Sequence, residues 1–224
     1  MAPDKYPRTW HLSISPGQHR EDRQHADDSH LVGVEVAILE KLDGSGVSLH
    51  RGGLYARSKA GPPTHPSYDP LKALHAQVAW QLPTHLSLFG EWLHTVHTIV
   101  YPQLPAEQEL QTFAVRDERD GSWLGLDEVE RVTAVLGLTH APVLERGRFD
   151  TVAALHAAVT AHAGAPSVYG PEREGVVVRT VSRFPTDRFH WQVAKWVRDG
   201  HVAGERWERH GIRRHQANSG QGRR

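Results

Sequence analysis

Residues 34–58 read VEVAILEKLDGSGVSLHRGGLYARS, and the fold turns on how this stretch is parsed. Val34, Val36 and Ile38 recur at period two, the pattern of a strand with one buried face. The strand ends at Glu40-Lys41, and Asp43-Gly44-Ser45-Gly46 carries the Asp-Gly signal of a hairpin turn. Two short strands are expected beyond it, over residues 47–50 and 54–57. A lysine closing an apolar strand has two readings. It can snorkel to water along its aliphatic stem. Alternatively its ammonium is partly desolvated, which costs energy, lowers its pKa and yields a nucleophilic amine.

Composition bounds what such an amine serves. The chain has 224 residues, 38% hydrophobic with seven Trp, enough for one large core interrupted by turns. Lys and Arg (26) balance Asp and Glu (26), so any nucleic-acid surface is a local patch rather than a global field. There is no Cys, which excludes disulfides, thiolate metal sites and thiol nucleophiles. The 17 His are scattered and form no HExxH, so they do not read as a zinc site. No apolar leader and no run of membrane-spanning length is present, and a cytoplasmic protein without membrane contact is the expectation.

Outward from residues 34–58, the elements alternate. Residues 1–33, with Pro3, Pro7, Pro16 and the polar run 18–30, read as a lead-in with a mobile loop. After a Pro-rich loop, Asp69-Pro70 opens a helix with Leu71, Leu74, His75, Val78 and Ala79 on one face, stopped by Pro83. Strands are expected over 86–92 and 110–117, the latter closed by an Asp120-Gly121 turn. Helices are expected from Asp127 to Gly137 and over 151–162, and final strands over 175–181 and 189–197. Many strands, short turns and interspersed helices favour an α+β domain of mostly antiparallel sheets over a doubly wound one.

Nucleotide chemistry through a helix N-terminus is excluded: there is no GxxxxGK[ST], no GxGxxG and no GxSxG elbow. Instead, short charged motifs fall in order on or beside expected strands. They are Lys41-Leu42-Asp43-Gly44, Arg57-Ser58, Phe89-Gly90-Glu91, Phe113, Glu174-Gly175 and Lys195. In this order they resemble the covalent nucleotidyltransferase superfamily of ATP-dependent ligases and mRNA-capping enzymes. The FGEW and EGVVVR segments are most similar to the RNA ligases, the RNA ligase 2-like group in particular, over residues 34–198.

That resemblance implies an ATP-grasp-like nucleotidyltransferase domain over 34–198, sheets flanked by helices, without an OB module. It implies ATP as AMP donor, Mg2+ or Mn2+, and RNA (or DNA) ends as partners, with separate end-processing enzymes as further partners. Lys41 is then the nucleophile, and Lys195 holds the α-phosphate and helps to activate the amine. Glu174 binds the metal, Arg57 contacts phosphate, Glu91 accepts the ribose hydroxyl, Phe113 stacks on adenine and Glu40 reads the adenine edge. Arg179 and Arg198 are further phosphate candidates. One departure stands out: the family's last motif carries two lysines one residue apart, and here the segment is Lys195-Trp196-Val197-Arg198. Strand alternation turns Arg198 away from Lys195.

Residues 198–224 carry seven Arg against three acids, so 199–224 read as a basic appendage suited to phosphate backbone, or as a solvated tail. Three alternatives stay open: a minimal DNA ligase, a GTP-using capping-type guanylyltransferase, and a non-catalytic nucleotide- or RNA-end-binding homologue.

Overall fold

The computed structural model of the protein describes residues 5–17, 22–57, 61–200 and 215. In chain order the strands are β1 (Trp10–His11), β2 (Glu35–Lys41), β3 (Ser45–His50) and β4 (Gly53–Ala56), followed by helix α1 (Asp69–Val78). Then come β5 (Leu86–Trp92), β6 (Leu110–Asp117), β7 (Ser122–Trp123), α2 (Leu126–Val135), β8 (Thr139–His140) and β9 (Val143–Arg148). The last third holds α3 (Val152–Ala163), β10 (Gly175–Thr180), β11 (Phe184–Pro185), α4 (Phe189–Gln192) and β12 (Val193–Val197). The fold is α+β, built on two sheets. One has the order β1-β12-β10-β2-β9, and the other runs β11-β7-β6-β5-β3-β4 with β8 beside β6.

Side-chain alternation decides which face each sheet gives to a helix. Val36 and Ile38 on β2, with Val176 and Val178 on β10, pack on Leu155 and Val159 of α3. Ala37 and Leu39, of opposite parity, pack with Leu126 and Val181 instead, and Lys41 continues their side of the strand. The second sheet buries Val47, Leu49, Leu88 and Val115 against Leu71 and Val78 of α1 and Val129 of α2. A cavity lies between the two sheets, lined from β2, β10 and β12 on one side and from β3, β4, β5 and β6 on the other.

Asp43-Gly44 is not a hairpin turn. β2 is already paired on both edges, by β10 and β9, so it has no edge left for a returning strand. Residues 42–44 instead carry the chain across to the other sheet. Asp43 Oδ2 accepts from the backbone N–H groups of Thr98 (2.7 Å) and Ile99 (2.8 Å), and its own N–H donates to Tyr101 Oη at 2.8 Å. Gly44 is needed because a Cβ there would lie 2.6 Å from Trp92 O. The tight hairpin is at Arg51-Gly52, between paired His50 and Gly53.

Residues 189–197 are also not one strand. Phe189 and Val193 share one buried face at helical spacing, so Phe189–Gln192 forms a turn of helix before β12 begins. Upstream, β1 joins the edge of the first sheet, and Leu12 and Leu31 are fully buried there. Of the polar run 18–30, residues 18–21 lie outside the described residues, while His25 and Asp28 are buried. The expected appendage 199–224 lies outside them too, apart from Asp199, Gly200 and His215. No helix among the described residues is long and apolar enough to cross a membrane.

Candidate active site

A cavity of about 340 Å³ between the sheets is lined by Lys41, Glu40, Arg57, Glu91, Phe113, Glu174, Arg179 and Lys195. Eight of the nine side chains singled out in the sequence thus border one space. Arg198 does not: its guanidinium pairs at the surface with Glu172 at 3.0 Å.

Each position follows from its strand. Gly175 faces Lys41 across β10 and β2, which brings Glu174 Oε1 to 2.6 Å from Lys41 Nζ. Gly175 permits this, because a Cβ there would lie 2.0 Å from Trp196 O on β12. Between β5 and β6 the register slips: Phe89 faces Ala114, but Gly90 faces Thr112. Phe113 is the extra residue of this bulge, which re-aims its half-buried ring toward the cavity. Arg57 leaves the end of β4, its N–H donating to Gly46 O at 2.9 Å.

Electrostatics departs from the expectation for Lys41. Burial acts to lower its pKa, but Glu174, Glu91 and Asp43 together outweigh that, and the net direction is upward. The depressed lysine is the other one: burial lowers Lys195, and Lys41 adds to the effect against the pull of Asp22. Glu91 is pushed up to about 7, chiefly by burial, with Lys41 opposing. The site therefore holds Lys41 as an ammonium among carboxylates.

Two candidates have other engagements. Arg179 is buried, and its N–H groups donate to the carbonyls of Leu124 (2.8 Å), Phe113 (3.2 Å) and Thr180 (3.3 Å), so it braces the cavity wall rather than offering itself to phosphate. Glu40 Oε2 accepts from Val168 N at 3.0 Å and lies 3.3 Å from Arg173, while its buried Oε1 has no hydrogen-bond partner among the described residues.

The sequence reading missed a whole wall. Lys5, Tyr6, Thr9, His11 and Asp22 also line the cavity. The Tyr6 ring meets Phe113 edge-on at 5.1 Å, and burial pushes its phenol up to about 12. The signal was present: Trp10, Leu12 and Ile14 alternate, but Pro7 and Pro16 on either side drew the segment toward loop.

The donor set suits a hard divalent cation, since every anion beside Lys41 is a carboxylate. Among the described residues no three His, Asp or Glu side chains converge to hold an ion alone. A bound Mg2+ or Mn2+ would thus complete its shell with substrate phosphate and water, as Mg2+ ordinarily does.

A family profile described as RNA ligase matches residues 34–197. Similar solved structures include a Naegleria gruberi RNA ligase with PPi, with a TM-score of 0.58 and 17% identity over 87% of this chain and 61% of that one. An archaeal ATP-dependent RNA ligase has a TM-score of 0.58 and 17% identity over 86% of this chain and 48% of its own. A Naegleria gruberi RNA ligase variant with ATP and Mn has a TM-score of 0.56 and 17% identity over 76% and 51%. The chain spans about half the length of the first of these structures it matches. No curated protein matches it.

Proposed function

Because the chain belongs to the RNA ligase family, we propose that it is an ATP-dependent polynucleotide ligase that joins 5′-phosphate to 3′-hydroxyl RNA ends through a lysyl-AMP on Lys41. The observation that carries the reading is the Lys41–Glu174 pair at the head of a nucleotide-sized cavity, with Lys195 and Arg57 along the same walls.

The Lys41 amine, once it has released its proton, attacks the α-phosphorus of ATP. A P–N bond forms, the bond from the α-phosphorus to the bridging oxygen breaks, and pyrophosphate leaves. Lys195 and Arg57 balance the charge that gathers on the phosphate oxygens. A divalent metal at Glu174 would neutralise phosphate charge and draw that carboxylate away from the lysine. Phe113 presents its ring to the base, Glu91 accepts from the ribose, and the unengaged Oε1 of Glu40 suits an exocyclic amine. AMP then passes to a 5′-phosphate end, and a 3′-hydroxyl displaces it. Enzymes that leave 5′-phosphate and 3′-hydroxyl ends would supply the substrate, and DNA ends are the neighbouring substrate class.

The test is incubation with ATP labelled at the α-phosphate and a divalent metal, followed by a denaturing gel. A covalent label absent from Lys41→Ala supports the ligase. Label from GTP alone would instead indicate a capping-type enzyme, and no label a nucleotide- or end-binding protein. The binding reading draws on one feature, the single lysine of the Lys195-Trp196-Val197-Arg198 segment.

A further inference from the structure

Lys195 shares the cavity with a second ammonium, Lys41 on β2, and with Glu174 before β10. Its side chain is only 18% exposed, so water does little to screen that like charge. Its one ion-pair partner among the described residues is Asp22, whose Oδ2 lies 3.3 Å from Lys195 Nζ. The same Oδ2 lies 2.9 Å from His11 Nε2.

The hydrogen bonds around this carboxylate determine one another. An ionised carboxylate only accepts, so His11 Nε2 carries the proton and Nδ1 is an acceptor. Nδ1 meets the Ser15 hydroxyl at 2.8 Å, and Ser15 Oγ in turn accepts from the Val197 N–H at 3.0 Å. The series leaves β12 at Val197, passes through Ser15, His11 and Asp22, and returns to β12 at Lys195. Backbone pairing fixes it in place: His11 stands opposite Lys195, and Leu12 N donates to Lys195 O at 2.8 Å. His11 is fully buried, so its orientation is set by these partners and not by water. His11, Ser15 and Asp22 all lie outside the stretch that the family profile matches.

We propose that Asp22, oriented by His11, is the positioning residue of Lys195, supplying the counter-charge that holds this ammonium charged and aimed beside Lys41 until phosphate takes its place. The functional half of this statement rests on the ligase reading; the coupling itself does not. The groups facing Lys195 are His11 and Asp22 from the N-terminal segment, Lys41 from β2 and Glu174 from the approach to β10.

Competitive acetylation of the nucleotide-free, full-length protein, read by peptide mass spectrometry across pH, tests the coupling. In Asp22→Asn, Lys195 is expected to react about tenfold faster at neutral pH, with its labelling midpoint about one unit lower. Lys72 on α1 should label as in wild type. His11→Phe is expected to shift Lys195 in the same direction by less. Unchanged Lys195 labelling in Asp22→Asn, with Lys72 also unchanged, overturns the proposal. Should Lys72 change as well, the Asn variant has lost its fold and Asp22→Glu decides: near-wild-type Lys195 labelling supports the coupling, and an unprotected Lys195 sinks it. No nucleotide enters this assay, so it succeeds or fails independently of AMP transfer to Lys41.

Discussion

Lys41 Nζ and Glu174 Oε1 lie 2.6 Å apart across neighbouring antiparallel strands, where Lys41 stands opposite Gly175. With Glu174 nearly buried and Lys41 27% exposed, the pair is a structural tie between the two strands as well as the centre of the proposed reaction.

Its pH signature follows from the direction of the Lys41 shift. The folded pKa lies above the ordinary 10.5, so the stabilisation is complete below that value and is lost as pH rises through the folded one. Glu174→Gln is expected to cost ~1–3 kcal/mol near neutral pH and to shrink this alkaline loss, leaving the share that Glu91 and Asp43 supply. Thermal melts near neutral pH and in strong alkali measure both. Equal alkaline losses in wild type and variant would contradict the assignment.

Glu91 carries a slope of the same sign in a lower pH window. Its folded pKa of about 7 exceeds the ordinary 4.5, so the folded state binds the proton more tightly, and stability falls as pH rises between these values. At 1.36 kcal/mol per unit the fall is ~3 kcal/mol. Urea titrations of wild type and Glu91→Gln at about pH 5 and pH 8 should show the slope flattened in the variant. A slope that persists would assign it to another group.

Phe113 enters the cavity through a bulge, its half-buried ring packed against two apolar clusters and bordering the open space. Phe113→Ala is expected to weaken nucleotide binding about 10- to 100-fold, from stacking worth ~1–3 kcal/mol per base. Phe113→Trp should retain most of the affinity. Calorimetric titration with ATP, alongside a melting curve, separates lost stacking from lost fold. Equal affinity in Phe113→Ala and wild type would remove the ring from the site.

Gly44 sits where Leu42 and Asp43 hand the chain from one sheet to the other. A Cβ there would fall 2.6 Å from Trp92 O and 2.7 Å from Leu93 Cδ2, and neither the strand nor the buried leucine can retreat. Gly44→Ala should cost ~1–3 kcal/mol, read as a lowered urea midpoint at unchanged slope. A neutral substitution would mean that the 42–44 link is softer than its packing suggests.

Two arginines separate scaffold from surface. Arg179→Met leaves the buried carbonyl of Leu124 without its donor, along with its neighbours, a loss of ~1–3 kcal/mol for each unsatisfied group. Arg198→Ala removes only a surface pair with Glu172 and should cost ~1 kcal/mol or less. Chemical denaturation of both variants checks the contrast, and equal losses would refute it.

How far the sequence reached depended on the range of the signal. The period-two run from Val34 gave β2, the Asp69-Pro70 start gave α1, and strands over 86–92 and 110–117 and a helix over 151–162 were likewise expected where β5, β6 and α3 lie, because those signals are local. Partnership was not local. Asp43-Gly44 has hairpin chemistry, yet β2 is saturated on both edges, a fact recorded only in β9 and β10. The bulge at Phe113 likewise exists only relative to β5. Lys41 was expected to be depressed by burial, and the burial is present; the carboxylates around it, contributed by three separate segments, reverse the sign. Asp22 and His11 carried no motif, and their bearing on the site emerges only when β1 lies against β12.

That contact between β1 and β12 has a temporal meaning. Asp22 and Lys195 are 173 residues apart, so during synthesis the first wall of the cavity emerges long before the strand that it must grip. A ribosome-bound chain lacking β12 leaves the donor and acceptor groups of Trp10–His11 without their parallel partner and the His11–Asp22 arm with nothing to hold. Pairing of such high sequence separation is slow to form, so the cavity cannot close before the C-terminal strand has joined the sheet. The complete cavity is thereby withheld until nearly the whole described chain has been made.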